Sequence, residues 1–187
     1  MSRNEIMIGG FGGQGVILAG YIVGQAAAIF DGRNATMTQD YGPEARGGSC
    51  RAQVVISKEQ ISNPYSENPS VLVAMSQEAY TKYAPGLSED ALLLIDKELV
   101  KLKKSRNDRT FAIPATGIAR ELGRSAVSNI VMLGFLTAVA KIVSVKAMKQ
   151  SILNSVPKGT EELNEKAFER GYSYGLEVIK SRSGDGR

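Results

Sequence analysis

A chain of 187 residues with 43% hydrophobic side chains can bury one full core, and we expect a single α/β domain over residues 1–182 followed by a disordered, glycine-rich polar tail at 183–187. Its 23 basic residues stand against 19 acidic ones, a net charge of +4 too small and too scattered to make a nucleic-acid surface. One cysteine, Cys50, and no histidine exclude disulfide frameworks, an iron–sulfur cluster on this chain's own thiolates, zinc sites that need histidine, and triads with a histidine base.

Met1 leads straight into a strand-like run with no long apolar leader, and Glu5 to Ile8 is the first strand. Gly15 to Phe30 reads as a helix whose small residues, among them Ala19, Gly20, Gly24 and Ala26 to Ala28, let it lie close against a sheet. Ala35 to Thr38 and Arg51 to Ser57 are strands, and Cys50, in the alternating segment Ser49 to Ile56, is expected to be a small packed side chain rather than a nucleophile. A polar loop marked by Asn63-Pro64 and Asn68-Pro69 precedes a fourth strand, Val71 to Met75. Ser76 caps a helix over Gln77 to Tyr83, ended by Pro85-Gly86. Ala91 to Ile95 and Phe111 to Ile113 complete the strands, and between them the densest basic stretch, Lys97 to Arg109, reads as a solvated helix end and loop.

The last third is helical: Ala115 to Leu122, Val127 to Ile142, Val145 to Ser155 and Glu161 to Ser181. Val127 to Ile142 is apolar on nearly every face, so it is either a central helix of the domain or partly a contact with another chain. Gly134, Thr137 and Lys141 interrupt the apolar run Ile130 to Val143, which falls short of the ~20 residues that span a bilayer. Strands alternating with helices predict a three-layer α/β fold, a mostly parallel sheet with helices on both faces and a helical C-terminal third. We expect a cytoplasmic protein that binds neither nucleic acid nor membrane.

Two glycine clusters carry the functional signal. Gly9 to Gly15 follows the first strand and opens the first helix, with Gly10, Gly12 and Gly15 in the G-x-G-x-x-G spacing of a dinucleotide turn. That fingerprint asks for an acid at the end of the second strand. Asp31 precedes that strand, Asp40 belongs to the following loop, and Gln14 is a bulky amide for a turn that a pyrophosphate approaches closely. The turn is thus read as a dinucleotide site, as a tight turn with only a structural role, or as a site touching a substrate, cofactor or partner subunit. The second cluster, Tyr41-Gly42-Pro43-Glu44-Ala45-Arg46-Gly47-Gly48, sets a cation in a backbone loosened by glycines, which suits a closing loop. Tyr41 is expected to pack the loop, and Arg46 either to meet an anion or to pair with Glu44 or Asp40.

Gly9 to Gly15, then Thr38 to Gly48, then Val71 to Tyr80, taken in order, resemble the gamma subunit of 2-oxoacid:ferredoxin oxidoreductases, and the Glu-Ala-Arg-Gly-Gly form resembles the 2-oxoglutarate branch. The likeness runs from about Ile6 to Val143 and implies the fold of the pyruvate–ferredoxin oxidoreductase domain III. It implies a complex that converts a 2-oxoacid and coenzyme A to acyl-CoA and carbon dioxide and passes two electrons to ferredoxin. Thiamine diphosphate with Mg and a [4Fe-4S] cluster do that chemistry on alpha, beta and delta partners. Consistent with this division, the chain's Gly184-Asp185-Gly186 lacks the asparagine of a thiamine-diphosphate motif. The resemblance assigns no catalytic residue and no metal ligand here. It implies coenzyme A or subunit contacts at Gly10, Gly12, Gly13, Gln14, Gly15, Tyr41, Glu44, Arg46, Gly47 and Gly48. A stand-alone dinucleotide-binding dehydrogenase and a purely structural assembly subunit are the competing readings.

Overall fold

The computed structural model describes residues 3–42, 48–103 and 109–184. Six strands, β1 (Asn4–Phe11), β2 (Asn34–Tyr41), β3 (Ser49–Ser57), β4 (Val71–Ala74), β5 (Leu92–Asp96) and β6 (Thr110–Ile113), form one sheet in the order β2-β3-β1-β4-β5-β6. β1, β4, β5 and β6 pair in parallel, while β3 runs antiparallel to both of its neighbours, β1 and β2. The sheet is therefore mixed, with β3 as its single reversed strand.

Side chains alternate across the sheet as strand geometry requires. Ile6, Ile8, Val54, Ile56, Val73 and Leu94 face one core, and Met7, Leu72, Ala74, Leu93 and Ile95 face the other. The second core is covered by α2 (Gln77–Tyr83), whose N-terminus Ser76 caps by accepting from the Ala79 N–H at 3.1 Å, and by the segment around Leu87 and Val100. The first and larger core lies under α1 (Val16–Gln25), α3 (Ala115–Glu121), α4 (Ser128–Ala140), α5 (Val145–Ser155) and α6 (Glu161–Gly184).

Two departures from the expected helices have local causes. The first helix changes at Ala26 to a π-turn, Ala26–Phe30, so that the Asp31 N–H bonds back to Ala26 O at 3.0 Å. The Asp31 carboxylate then accepts from the Ser144 N–H at 2.8 Å and its hydroxyl at 2.6 Å, tying this corner to the start of α5. At the other end of the chain α6 includes Ser183 and Gly184, where the Ser183 hydroxyl bonds to Ile179 O at 3.0 Å; residues 185–187 lie outside the described ones. In the basic stretch Lys101 and Lys103 are exposed on the loop after β5, and Lys104 and Arg106 lie outside the described residues.

Every residue of α4 from Ser128 to Ala138 is buried within this chain, which settles its place as a central helix. The sheet covers one side and α6 the other. That second contact is made at backbone distance: a Cβ on Gly134 would run into Phe168 O, and one on Gly171 would run into Val131 O. Lys141 ends α4 in the left-handed region at φ 52°.

The polar loop after β3 is pinned by one carboxylate. Glu5, 9% exposed, accepts from Arg3 Nε at 2.7 Å, the Ser66 hydroxyl at 2.9 Å and the Asn68 N–H at 3.0 Å. Burial alone would raise its pKa, but these donors outweigh burial and hold it below its ordinary value of 4.5.

Two outcomes follow. Gly171→Ala should cost about 2–3 kcal/mol in thermal or urea unfolding, as overpacking at a helix–helix contact does, whereas Ser173→Ala on the exposed face should shift stability by less than about 0.5 kcal/mol. Because the Glu5 pKa is depressed on folding, its contribution is fully present above pH 4.5 and lost as pH falls through the lower folded value. The stability gap between wild type and Glu5→Gln, read by urea titration at several pH values, should accordingly narrow below pH 4.5.

Candidate functional site

The glycine clusters meet at the carboxyl ends of the parallel strands, where open α/β sheets place their ligands. β1 does not stop at Ile8 but continues through Gly9, Gly10 and Phe11, opposite Arg51, Cys50 and Ser49 of β3. The first two glycines are thus strand residues. Gly9 lacks a side chain because α2 crosses there: a Cβ would lie 2.9 Å from the Ala79 Cβ and 3.3 Å from the Tyr83 ring. The turn proper is Gly12 to Gly15.

That turn is braced by the amide of Gln14. Its Oε1 accepts from the Phe11 N–H at 2.7 Å, and its Nε2 donates to Met75 O at 2.8 Å, at the junction of β4 and α2. The neighbouring Met75 N–H donates to Gly9 O at 2.8 Å. The amide fills the pocket over Gly10, where a Cβ would approach Oε1 to 2.5 Å. A protein amide thus occupies this space and consumes the Phe11 N–H. The dinucleotide fingerprint fails at its acid. β3 separates β2 from β1, and Asp40 at the end of β2 is engaged by Arg51, Nε to Oδ2 2.5 Å. The dinucleotide reading is not favoured.

Gly15 begins α1 at φ 71°, and its carbonyl accepts from Asn129 Nδ2 at 3.2 Å as well as from the Ala19 N–H at 2.9 Å. Asn129, 3% exposed at the start of α4, turns its other amide atom to the Ile130 N–H at 2.9 Å. The two glycine clusters are joined directly by one bond, from the Gly12 N–H to Gly48 O at 2.9 Å; the Gly42 N–H donates to Ser49 O at 2.6 Å, between the ends of β2 and β3. Gly12 and Gly13 are exposed, and Gly48 is buried. Tyr41, expected to pack the loop, is instead 65% exposed at the end of β2. Glu44, Arg46 and Gly47 lie outside the described residues.

Two rim residues were not anticipated from the sequence. Arg51 lies across from Asp40 in the β2–β3 register and stacks on Tyr83, 5.4 Å to the ring centroid. Asn129 carries no motif and acts only because α4 delivers it beneath Gly15. Cys50, in the same strand as Arg51, is buried and burial pushes its thiol up, so it is a packed, inert side chain. Beside the turn opens a cleft of 190 Å³ walled by Leu18, Arg124, Val127, Ile130, Leu163 and Asn164. It is smaller than the ~300 Å³ at which pockets begin to hold whole cofactors, so it suits a fragment of a longer ligand.

The geometry describes an open α/β platform whose carboxyl-end rim carries a braced glycine turn bonded to Gly48 of the second glycine cluster. The sequence matches the family described as pyruvate ferredoxin/flavodoxin oxidoreductase over residues 5–174, and the chain belongs to that family. It is 50% identical to the 2-oxoglutarate synthase subunit KorC of Methanocaldococcus jannaschii, over 94% of this chain and 96% of the relative. Among solved structures it resembles the keto/oxoacid ferredoxin oxidoreductase gamma subunit of Geobacter sulfurreducens, with TM-score 0.85, 39% identity, and 94% of this chain and 98% of the other covered. The fold also recurs, with TM-score 0.81 and 22% identity, within the 2-oxoglutarate:ferredoxin oxidoreductase of Magnetococcus marinus, where 94% of this chain covers 31% of the longer one.

The turn makes a graded prediction. A Cβ on Gly13, at φ 98°, meets nothing within 4 Å, so Gly13→Ala should cost only the backbone penalty of about 1–2 kcal/mol. Gly15→Ala adds a collision with the Asn129 amide and should cost more than Gly13→Ala in urea unfolding.

Proposed function

We propose that this chain is the gamma subunit of a multisubunit 2-oxoacid:ferredoxin oxidoreductase, the 2-oxoglutarate enzyme. That complex takes 2-oxoglutarate, coenzyme A and oxidised ferredoxin to succinyl-CoA, carbon dioxide and reduced ferredoxin. The observation that carries the reading is 50% identity to a 2-oxoglutarate synthase subunit along almost the whole of both chains. Thiamine diphosphate, Mg and the [4Fe-4S] cluster belong, in this reading, to alpha, beta and delta partners. The residues present do not fit them: one cysteine and no histidine cannot ligate the cluster, and among the described residues no group of three His, Cys, Asp or Glu side chains is placed to hold a metal ion. Among the described residues, the one deeply buried carboxylate at the sheet's carboxyl end, Asp96, is spent on the start of α3, accepting from the Thr116 N–H at 2.9 Å and hydroxyl at 2.6 Å.

The contribution of this chain is then structural and recognitional. The rim of Gly12 to Gly15 with Gly48, and Arg46 between Gly42 and Gly48 in sequence, supports the active-site entrance and meets coenzyme A or a partner subunit. Arg46 serves as a charge-assisted donor to a coenzyme A phosphate. Tyr21 and Ile29, 52% and 69% exposed beside the edge strand β2, supply apolar area of the kind that subunit contacts cover. No helix of the described residues is long and apolar enough to cross a membrane, and a cytoplasmic location goes with the reading.

Arg46→Ala in the reconstituted complex tests the ligand role. Loss of one charge-assisted hydrogen bond, about 1.5–3 kcal/mol, should raise the KM for coenzyme A by about tenfold or more, with assembly intact on a sizing column. Unchanged turnover with unchanged coenzyme A dependence discards it. Failure of the variant subunit to copurify with its partners would favour a purely structural assembly role.

A further inference from the structure

We infer that Gln14 is a positioning residue for the reaction of the complex, one that sets the spacing of the glycine rim without itself contacting ligand. The inference rests on the reading that this rim faces the active-site entrance. Both ends of the Gln14 amide are committed, to the Phe11 N–H and to Met75 O, and its orientation is dictated by them, since the first partner only donates and the second only accepts. The amide is half-buried and fills the space over Gly10, so no ligand atom can take either bond without expelling it.

The brace connects segments 61 residues apart in sequence. On one side is the turn whose next residue, Gly12, donates to Gly48 of the second glycine cluster at 2.9 Å. On the other is the β4–α2 junction, whose Met75 N–H is itself fixed to Gly9 O. Movement at Gln14 is therefore transmitted to the exposed Gly12–Gly13 peptide and to Gly48 together. A hydrophobic turn residue of the same size would fill the space yet leave the Phe11 N–H and Met75 O unpaired, and a carboxylate would satisfy the first and repel the second. A neutral amide supplies one donor and one acceptor at this spacing, which is the physical reason for glutamine here.

The experiment compares Gln14→Leu and Gln14→Glu in the reconstituted complex, with assembly checked by sizing column and thermal midpoint. Amide hydrogen exchange of Phe11 and Gly12 reads the brace, and KM for coenzyme A against kcat reads its consequence. We expect exchange to rise at least tenfold in Gln14→Leu and less in Gln14→Glu. KM should rise about three- to tenfold in the same order, with kcat changed by less than twofold. Unaltered exchange overturns the brace whatever the kinetics do. Faster exchange with unaltered KM overturns the positioning role, and Arg46→Ala then separates the causes. If that variant raises KM, only the role of Gln14 fails; if it too is silent, the rim reading fails with it. Should Gln14→Leu not assemble, Gln14→Glu carries the comparison, and normal kinetics there with raised exchange overturn the inference equally.

Discussion

The structure depends on the burial of one helix. α4 has apolar side chains around its whole circumference, so water must be excluded from every side of it, and the sheet can cover only one. The C-terminal third of the chain supplies the rest. α6 comes so close that Gly134 and Gly171 have no room for side chains, and backbone meets backbone across the contact. A helix held this tightly cannot shift along its axis without collision, and its first turn is correspondingly fixed. That turn carries Asn129, and Asn129 holds Gly15. The route from hydrophobic burial to the glycine turn is thus one side chain long: the core positions α4, α4 positions an amide, and the amide positions the start of α1.

Gln14 provides the same service from the opposite side of the turn, using α2 and β4 as its anchor. Between the two amides the segment Phe11 to Gly15 is tied to both layers of helices, although Gly12 and Gly13 remain exposed. Glycine makes a backbone conformationally free, and the cost of that freedom is entropy lost on ordering. Two side-chain amides, each bonded at both ends, restrain the segment in the folded protein. An edge built this way exposes peptide groups with no side chain over them and keeps them at a defined separation.

Much of this was legible in the sequence, and the failures share a cause. Gln77 to Tyr83 and Val145 to Ser155 match the observed α2 and α5 residue for residue, because each has a serine cap on one side and a clear stop on the other. The strand through Gly9 and Gly10 was not legible, since glycine carries no strand preference and only the pairing with β3 reveals it. The reversed β3 was equally hidden: its apolar alternation reads the same in either direction. Asp40 was weighed as an acid for a ribose or a partner for Arg46, whereas the hairpin register sets it opposite Arg51, a contact that exists only once β2 and β3 are aligned. Gln14 was visible as an odd residue in a glycine turn, a bulky amide where a pyrophosphate would come close. What it does instead required Met75, a residue 61 positions away.

The same distinction bears on why this subunit carries so few candidates for chemistry. Among the described residues three acidic side chains near the sheet's carboxyl end are committed: Asp96 to the start of α3, Asp40 to Arg51, and Glu98 to Arg120. A carboxylate that is to act as a base needs a substrate proton within reach of a free oxygen, and these carboxylates spend their oxygens on cations, a hydroxyl or backbone N–H groups instead. Cys50 is protonated and packed. The edge is therefore rich in fixed hydrogen-bonding geometry and poor in groups able to exchange protons or electrons. In such an edge the rigid placement of peptide groups counts for more than the reactivity of side chains.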